Sequence, residues 1–274
     1  MTRCLWNLSL VLVSSIAVLA QHSQTPDAKN ELNLGVAAYE KGAYSQAIQL
    51  LEHAVSLDPS ATIGHFYLAS AYDMMCIPDS CEPHWSTSAI QEYNKVLELD
   101  PNHKDALKSM AYLLYRVLRF DEAERFYRKA AKLDANDPEP LYSIAVLHFH
   151  RTYAAIMEEK ARLHLAPKQP LIGRPACHQL RAKNLADVEE GIALLSRTLA
   201  LINDVEVQSY LAALYGERAE LQCNDWSAYK RDLLSEQQWW NRACVTFQEA
   251  KRNILPRWIA APPPPPRKRG GTCR

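Results

Sequence analysis

The sequence has no excess of charge: 31 Lys and Arg stand against 31 Asp and Glu in 274 residues. That balance leaves no electrostatic footprint for nucleic acid or an anionic surface. Its single basic run is Arg267-Lys268-Arg269. Catalytic signatures are missing too. There is no glycine-rich phosphate loop, no Gly-x-Ser-x-Gly elbow and no His-Glu-x-x-His. His148 and His150 are two apart, so on a helix they point to different sides and make a poor metal pair. The carboxylate pair Glu158-Glu159 reads as a solvated helix face. These absences argue against an enzyme, a cofactor and a metal site.

Hydrophobic residues make up 48% of the chain, enough for a continuous core without metals. The organising stretch is Leu34 to Pro59, two short amphipathic helices joined by a turn. Leu34, Ala38, Ala47, Leu51 and Ala54 fall at helical spacing. Gly42 separates the two runs, and Asp58-Pro59 ends the second. Small residues (Gly35, Ala38, Ala47, Ala54) stand where two helices must pack closely. Such a hairpin cannot bury its apolar face alone.

Copies of it follow. Ala47/Leu51 recurs as Ala89/Tyr93, Ala123/Tyr127 and Gly191/Leu195, in steps of 42, 34 and 68 residues. The closing dipeptide recurs in the same steps, as Asp58-Pro59, Asp100-Pro101, Asp134-Ala135 and, weakly, Ile202-Asn203. Two independent markers thus agree on a unit of about 34 residues. On these residues the chain resembles the tetratricopeptide-repeat (TPR) family. Residues 30–134 carry the clear copies and 135–254 degenerate ones. The second half, with Tyr210-Leu211 and Leu214-Tyr215 and a Trp-rich last helix, is also similar to exported bacterial TPR proteins of unassigned activity. The resemblance implies an all-α, right-handed α-solenoid of stacked helix-turn-helix hairpins. Five repeats are expected, at 29–60, 61–101, 102–135, 136–203 and 204–254. The step of 42 reflects an insertion within repeat two. That of 68 reflects one in repeat four, since Pro170 and Pro175 fall where a helix would be needed for an extra repeat. Residues 73–85, 151–180 and 220–227 all lie between the two helices of a repeat and are expected on one rim.

The N-terminus reads as a secretory signal peptide, residues 1–20. Arg3 precedes an apolar run from about Leu8 to Ala20, with small residues before Gln21. The run is short for a spanning helix of roughly 20 residues. The protein is therefore expected to be exported, to the periplasm or cell envelope. The alternative is an uncleaved anchor of residues 5–20 in the inner membrane, which would make the protein a membrane-anchored envelope assembly factor. Residues 21–28 read as a polar tether. Residues 255–274, with Pro262 to Pro266, read as a proline-rich disordered tail.

The TPR resemblance places a partner-binding surface on the first helix of each repeat. It assigns Leu32, Val36 and Tyr39 from repeat one, and Phe66, Ser70 and Asp73 from repeat two. Lys108, Tyr112 and Tyr115 come from repeat three, and Tyr142, Val146 and Phe149 from repeat four. That face is aromatic rather than charged, which suits a peptide segment or a partner's helix. The clamp that chaperone-binding TPR domains build for a terminal carboxylate is absent, because Leu32, Val36, Asp105 and Ser109 stand where cations or amides are needed.

Of seven cysteines, Cys4 leaves with the signal. Cys76 and Cys81 flank a short loop, and Cys177 and Cys223 lie in neighbouring insertions. An oxidising compartment favours disulfides in both places. A metal site from Cys76, Cys81 and His84 lacks a fourth ligand. Cys244, within a helix, reads as a small buried residue.

Overall fold

The structure, a computed structural model, describes residues 26–76 and 82–252. The expected signal segment, the proline-rich tail, Cys4, Cys81 and Cys273 lie outside the described residues. Ten helices and no strand are present among the described residues. They form five antiparallel hairpins: α1 (Pro26–Glu40) with α2 (Tyr44–Leu57), α3 (Thr62–Met75) with α4 (Pro83–Leu99), α5 (Lys104–Arg116) with α6 (Phe120–Leu133), α7 (Pro138–Arg162) with α8 (Pro175–Leu201), and α9 (Val205–Glu220) with α10 (Trp226–Arg252). Each hairpin packs on the next, and first helices also meet first helices (α1 on α3, α3 on α5, α7 on α9). This is an α-solenoid. Residues 26–28 belong to α1 rather than to a tether.

The marker residues show why the hairpins close. Ala47, Leu51, Ala89, Tyr93, Ala123, Tyr127 and Leu195 are all buried. A Cβ on Gly35 would come within 2.6 Å of the Leu51 side chain, so α1 and α2 approach at a distance only glycine permits. The closing aspartates act through their side chains. Asp58 Oδ1 accepts from the Ser60 amide at 3.1 Å, Asp100 Oδ1 from Asn102 at 3.0 Å, and Asp134 Oδ1 from Asn136 at 3.1 Å. Each Asx turn ends a helix and turns the chain into the next hairpin. Where the marker fades, aspartates work from the other end. Asp137 caps α7 through the Glu139 amide, and Asp204 caps α9 through that of Glu206.

The turn within the first hairpin places Gly42 at φ +75°, and the Ala43 amide reaches back to the Ala38 carbonyl. That is a Schellman closure. The third hairpin closes identically, with Arg119 N on Leu114 O, but puts Leu118 at φ +62° in the glycine's place. Leucine there is strained and its side chain is 75% exposed. Leu118→Gly is expected to stabilise the protein by about 0.5–1 kcal/mol, the relieved strain less the added freedom of the unfolded chain. Thermal unfolding would read it as a rise of roughly 1–4 °C.

The core is a string of three clusters rather than one globule. The first holds Leu51 and Leu68, the second Tyr93, Met110 and Tyr127, the third Tyr142, Phe149, Leu195 and Tyr210. Tyr72 and Trp85 pack against both the first and second, Tyr115 and Leu194 against both the second and third. Each fully buried large side chain contributes about 1.5–3 kcal/mol, so each hairpin's stability is shared with its neighbours.

The later insertions depart from the expected bounds. Helix α8 begins at Pro175, not near Arg181, because proline at the first helical position is tolerated. The connections after α7 and α9 are then joined along one rim. Cys177 and Cys223 form a disulfide, Gly173 N donates to Cys223 O at 2.6 Å, and Arg181 donates to Leu221 O at 2.8 Å. Lys160 and Glu220 form a buried pair at 2.7 Å beneath them. Cys76 and Cys244 are also disulfide-bonded. For Cys244 this corrects the reading as an inert buried residue: it sits half-exposed on α10. On the same helix Ala243 is buried, Trp239 and Trp240 are half-buried, and Phe247 is 40% exposed.

Candidate partner-binding face

The first helices α1, α3 and α5 hold their inner-face side chains at half burial. Val36, Tyr39, Phe66, Lys108, Tyr112 and Tyr115 all lie in this class. Tyr39 packs against Tyr44 and Tyr67, with ring centroids 5.6 and 5.4 Å away. Phe66 stacks on His103 at 5.1 Å. Tyr112 and Tyr115 lie 6.3 Å apart, and Tyr115 reaches His150 Nε2 through its hydroxyl at 3.0 Å. Burial holds the His150 imidazole below its ordinary value, which favours the neutral ring that accepts this bond. Burial also pushes the Tyr115 hydroxyl up to about 12.

The charges on this face are already paired. Arg116 donates to Asp73 Oδ1 at 2.8 Å and lies 5.7 Å over the Tyr112 ring. Burial lifts the Asp73 carboxyl to about 6 against the pull of Arg116. Lys108 donates to Asp137 at 3.0 Å and lies 2.8 Å from Glu139. Burial opposes its charge, but hydrogen bonds to Glu139 and Asp137 keep its ammonium above the ordinary value. Lys108 thus ties repeat three to the start of α7 before any partner arrives. What remains outward is neutral and largely aromatic.

Several assigned residues do not belong to an open surface. Tyr142, Val146 and Phe149 are buried, because α9 packs directly on α7. The Tyr210 ring meets Tyr142 at 5.7 Å and Phe149 at 5.4 Å, edge to face. These rings are core between repeats four and five. Leu32 is buried between the first two hairpins. Ser70 and Asp73 are buried as well, Ser70 against its own helix through the Phe66 carbonyl. The open part of the face therefore covers repeats one to three.

Two residues there escaped the sequence reading. Ile63 is 58% exposed and Met74 45% exposed. With Phe66 and Ser70 they follow the i, i+3, i+7, i+11 spacing of one helical face, a signal that was present in the sequence. A second feature was illegible. Arg128 bridges Glu124 and Glu190, and Arg151 bridges Asp121, Glu124 and Asp187. His148 Nδ1 lies 3.5 Å from Asp187, and its Nε2 3.3 Å from Glu190. This network fastens α6, α7 and α8 beside a cleft of about 740 Å³ lined by Leu118, Phe120, Arg125 and Arg151 among others. Every arginine of the network is matched by carboxylates, so it acts as a fastening. No group of three or more His, Cys, Asp or Glu with metal-site geometry exists among the described residues. Among them, too, no helix is long and apolar enough to cross a membrane.

Paired helices stacked through small residues, with an aromatic inner face, define a helical-hairpin solenoid of the tetratricopeptide-repeat type. Residues 32–60 match the tetratricopeptide repeat family model. Among solved structures, MamA 41-end from Desulfovibrio magneticus RS-1 superposes with a TM-score of 0.56 at 13% identity, covering 84% of this chain and 98% of that one. Another MamA structure gives 0.57 at 10% identity, over 85% and 98%. YrrB, described as a TPR protein with an unusual peptide-binding site, gives 0.55 at 12% identity, over 83% and 90%. At these identities the likeness is one of fold. No curated protein sequence matches the chain.

Proposed function

We propose that the protein is a non-catalytic scaffold that binds an apolar or aromatic peptide segment of a protein partner along repeats one to three. The carrying observation is the half-buried aromatic floor of Tyr39, Phe66, Tyr112 and Tyr115, flanked by exposed Ile63 and Met74, with the local cations already neutralised. Rigid rings offer contact area at low entropic cost, and paired charges leave a charged peptide nothing to neutralise. The peptide-binding site ascribed to YrrB supports the reading at the level of fold.

We further infer export. The N-terminal pattern of residues 1–20 supports it, as does a buried Cys177–Cys223 disulfide, which persists in oxidising compartments. Mass spectrometry of the mature N-terminus decides between release, starting at Gln21, and an anchor with Met1 intact.

Panning a random peptide library against the full chain tests the binding face. Neutral sequences rich in aromatic and aliphatic residues are expected. Ile63→Ser with Met74→Ser, and separately Tyr112→Ala, should each weaken the selected peptides at least tenfold with helicity unchanged. Retention of affinity in all of these variants would place the site elsewhere.

A further inference from the structure

We propose that Glu217 is a proton-operated latch on the last hairpin, holding repeat five closed against repeat four while it carries its proton and loosening the junction when the proton leaves. Glu217 lies on α9, and its residue is only 5% exposed. Both carboxylate oxygens are buried with no hydrogen-bond partner. An ionised carboxylate so placed has lost its water and gained nothing in return.

The neighbouring charges offer no remedy, because they are engaged elsewhere. Glu220, three residues on and so on the same side of α9, uses one oxygen on Lys160 Nζ at 2.7 Å and the other on the Leu171 amide at 2.9 Å. Lys160, from α7, gives a second bond to the Pro167 carbonyl. From α8, Arg181 donates to Leu221 O and Gln222 Oε1. Arg218 of α9 is paired with Asp232 of α10, which also accepts from Gln222. Glu236 of α10 packs its carboxylate against Gly216. Further along α7, His148 stands between Asp187 and Glu190, and the buried Thr152 hydroxyl has no partner. Besides Glu217, the junction buries Lys160, which is bonded to Glu220, and Asp232, which is bonded to Arg218. The neutral acid is the form of Glu217 that fits.

Desolvation accordingly raises the Glu217 carboxyl well above its ordinary 4.5. In the opened hairpin the group is in water and titrates near that ordinary value. The closed state is therefore at full strength below about 4.5 and weakens as pH rises through the raised value. Between the two, the opening constant grows tenfold per pH unit, since opening releases one proton. The latch acts at repeats four and five and does not depend on what occupies the face of repeats one to three.

Hydrogen exchange of the full chain between pH 5 and 9, corrected for intrinsic rates, isolates the effect. Local exchange is needed because Asp73 and His65 titrate in other repeats. Opening of α9 and α10 amides should rise with pH, approaching tenfold per unit over part of the range, while α1 and α2 do not follow. Glu217→Gln and Glu217→Met should each remove that dependence and leave α9 protected throughout. A wild-type α9 whose opening ignores pH overturns the latch, as does a folded variant that keeps the wild-type dependence. If neither variant folds, the wild-type profile decides alone.

Discussion

Replacing Lys160 with methionine is expected to destabilise the protein by about 3–5 kcal/mol, the usual result of stripping one partner from a buried ion pair. Lys160 and Glu220 have side chains 1% and 4% exposed, and their 2.7 Å contact joins α7 to α9. The lysine also holds the Pro167 carbonyl, and the glutamate holds the Leu171 amide, so this pair holds the 163–174 connection at two points along it. Without Lys160, Glu220 becomes a second buried carboxylate lacking a counter-ion, beside Glu217. At roughly 2–4 °C per kcal/mol, the melting temperature should fall by about 10 °C. The double variant Lys160→Met with Glu220→Gln should recover much of the loss, because it removes the orphaned charge as well as the attraction. A Lys160→Met protein that melts within 2 °C of wild type would show that the pair is open to water.

The repeats could be read from the sequence because the hairpin's demands are local. The two helices of a hairpin must meet through small side chains, so Ala47, Ala89, Ala123 and Gly191 recur in step. The aspartates recur because an Asx turn needs a carboxylate two residues before the amide it caps. What failed was of another kind. Pro175 looked like a stop, although a proline that cannot sit inside a helix can begin one, as it does in α8. Tyr142 and Phe149 lie on the predicted side of α7, but periodicity gives the side and not the distance to the next helix. Helix α9 closes on that side, and the rings become core. Apart from the i,i+4 pair Glu124–Arg128, the Arg128 and Arg151 network joins residues 27 to 62 positions apart in the chain, and no spacing rule connects those. Lys108 was read as a partner contact, and its short reach to Asp137 and Glu139 depends on where repeat four begins.

Removing the Cys177–Cys223 disulfide, as Cys177→Ala with Cys223→Ala, should cost about 4 kcal/mol, the chain-entropy value for a crosslink spanning 46 residues. The loss should first appear as faster hydrogen exchange in residues 163–174, which the Gly173 amide on Cys223 O and the Leu171 amide on Glu220 also tie to the end of α9. Cys223 sits at φ +35°, a conformation glycine adopts freely and alanine does not. Cys177→Ala with Cys223→Gly should therefore lose less than the double alanine. That difference separates the strain at this corner from the value of the crosslink. Reductant alone is an unclean test, because Cys76 and Cys244 are disulfide-bonded too. Added to the double variant, it should move the melting point only by what those other bonds contribute. A double-alanine protein within 1 kcal/mol of wild type would mean that the polar ties and the Lys160–Glu220 pair hold the rim unaided. A 4 kcal/mol loss would instead make repeats four and five dependent on oxidation, and chain held in a reducing compartment would carry a weakened second half.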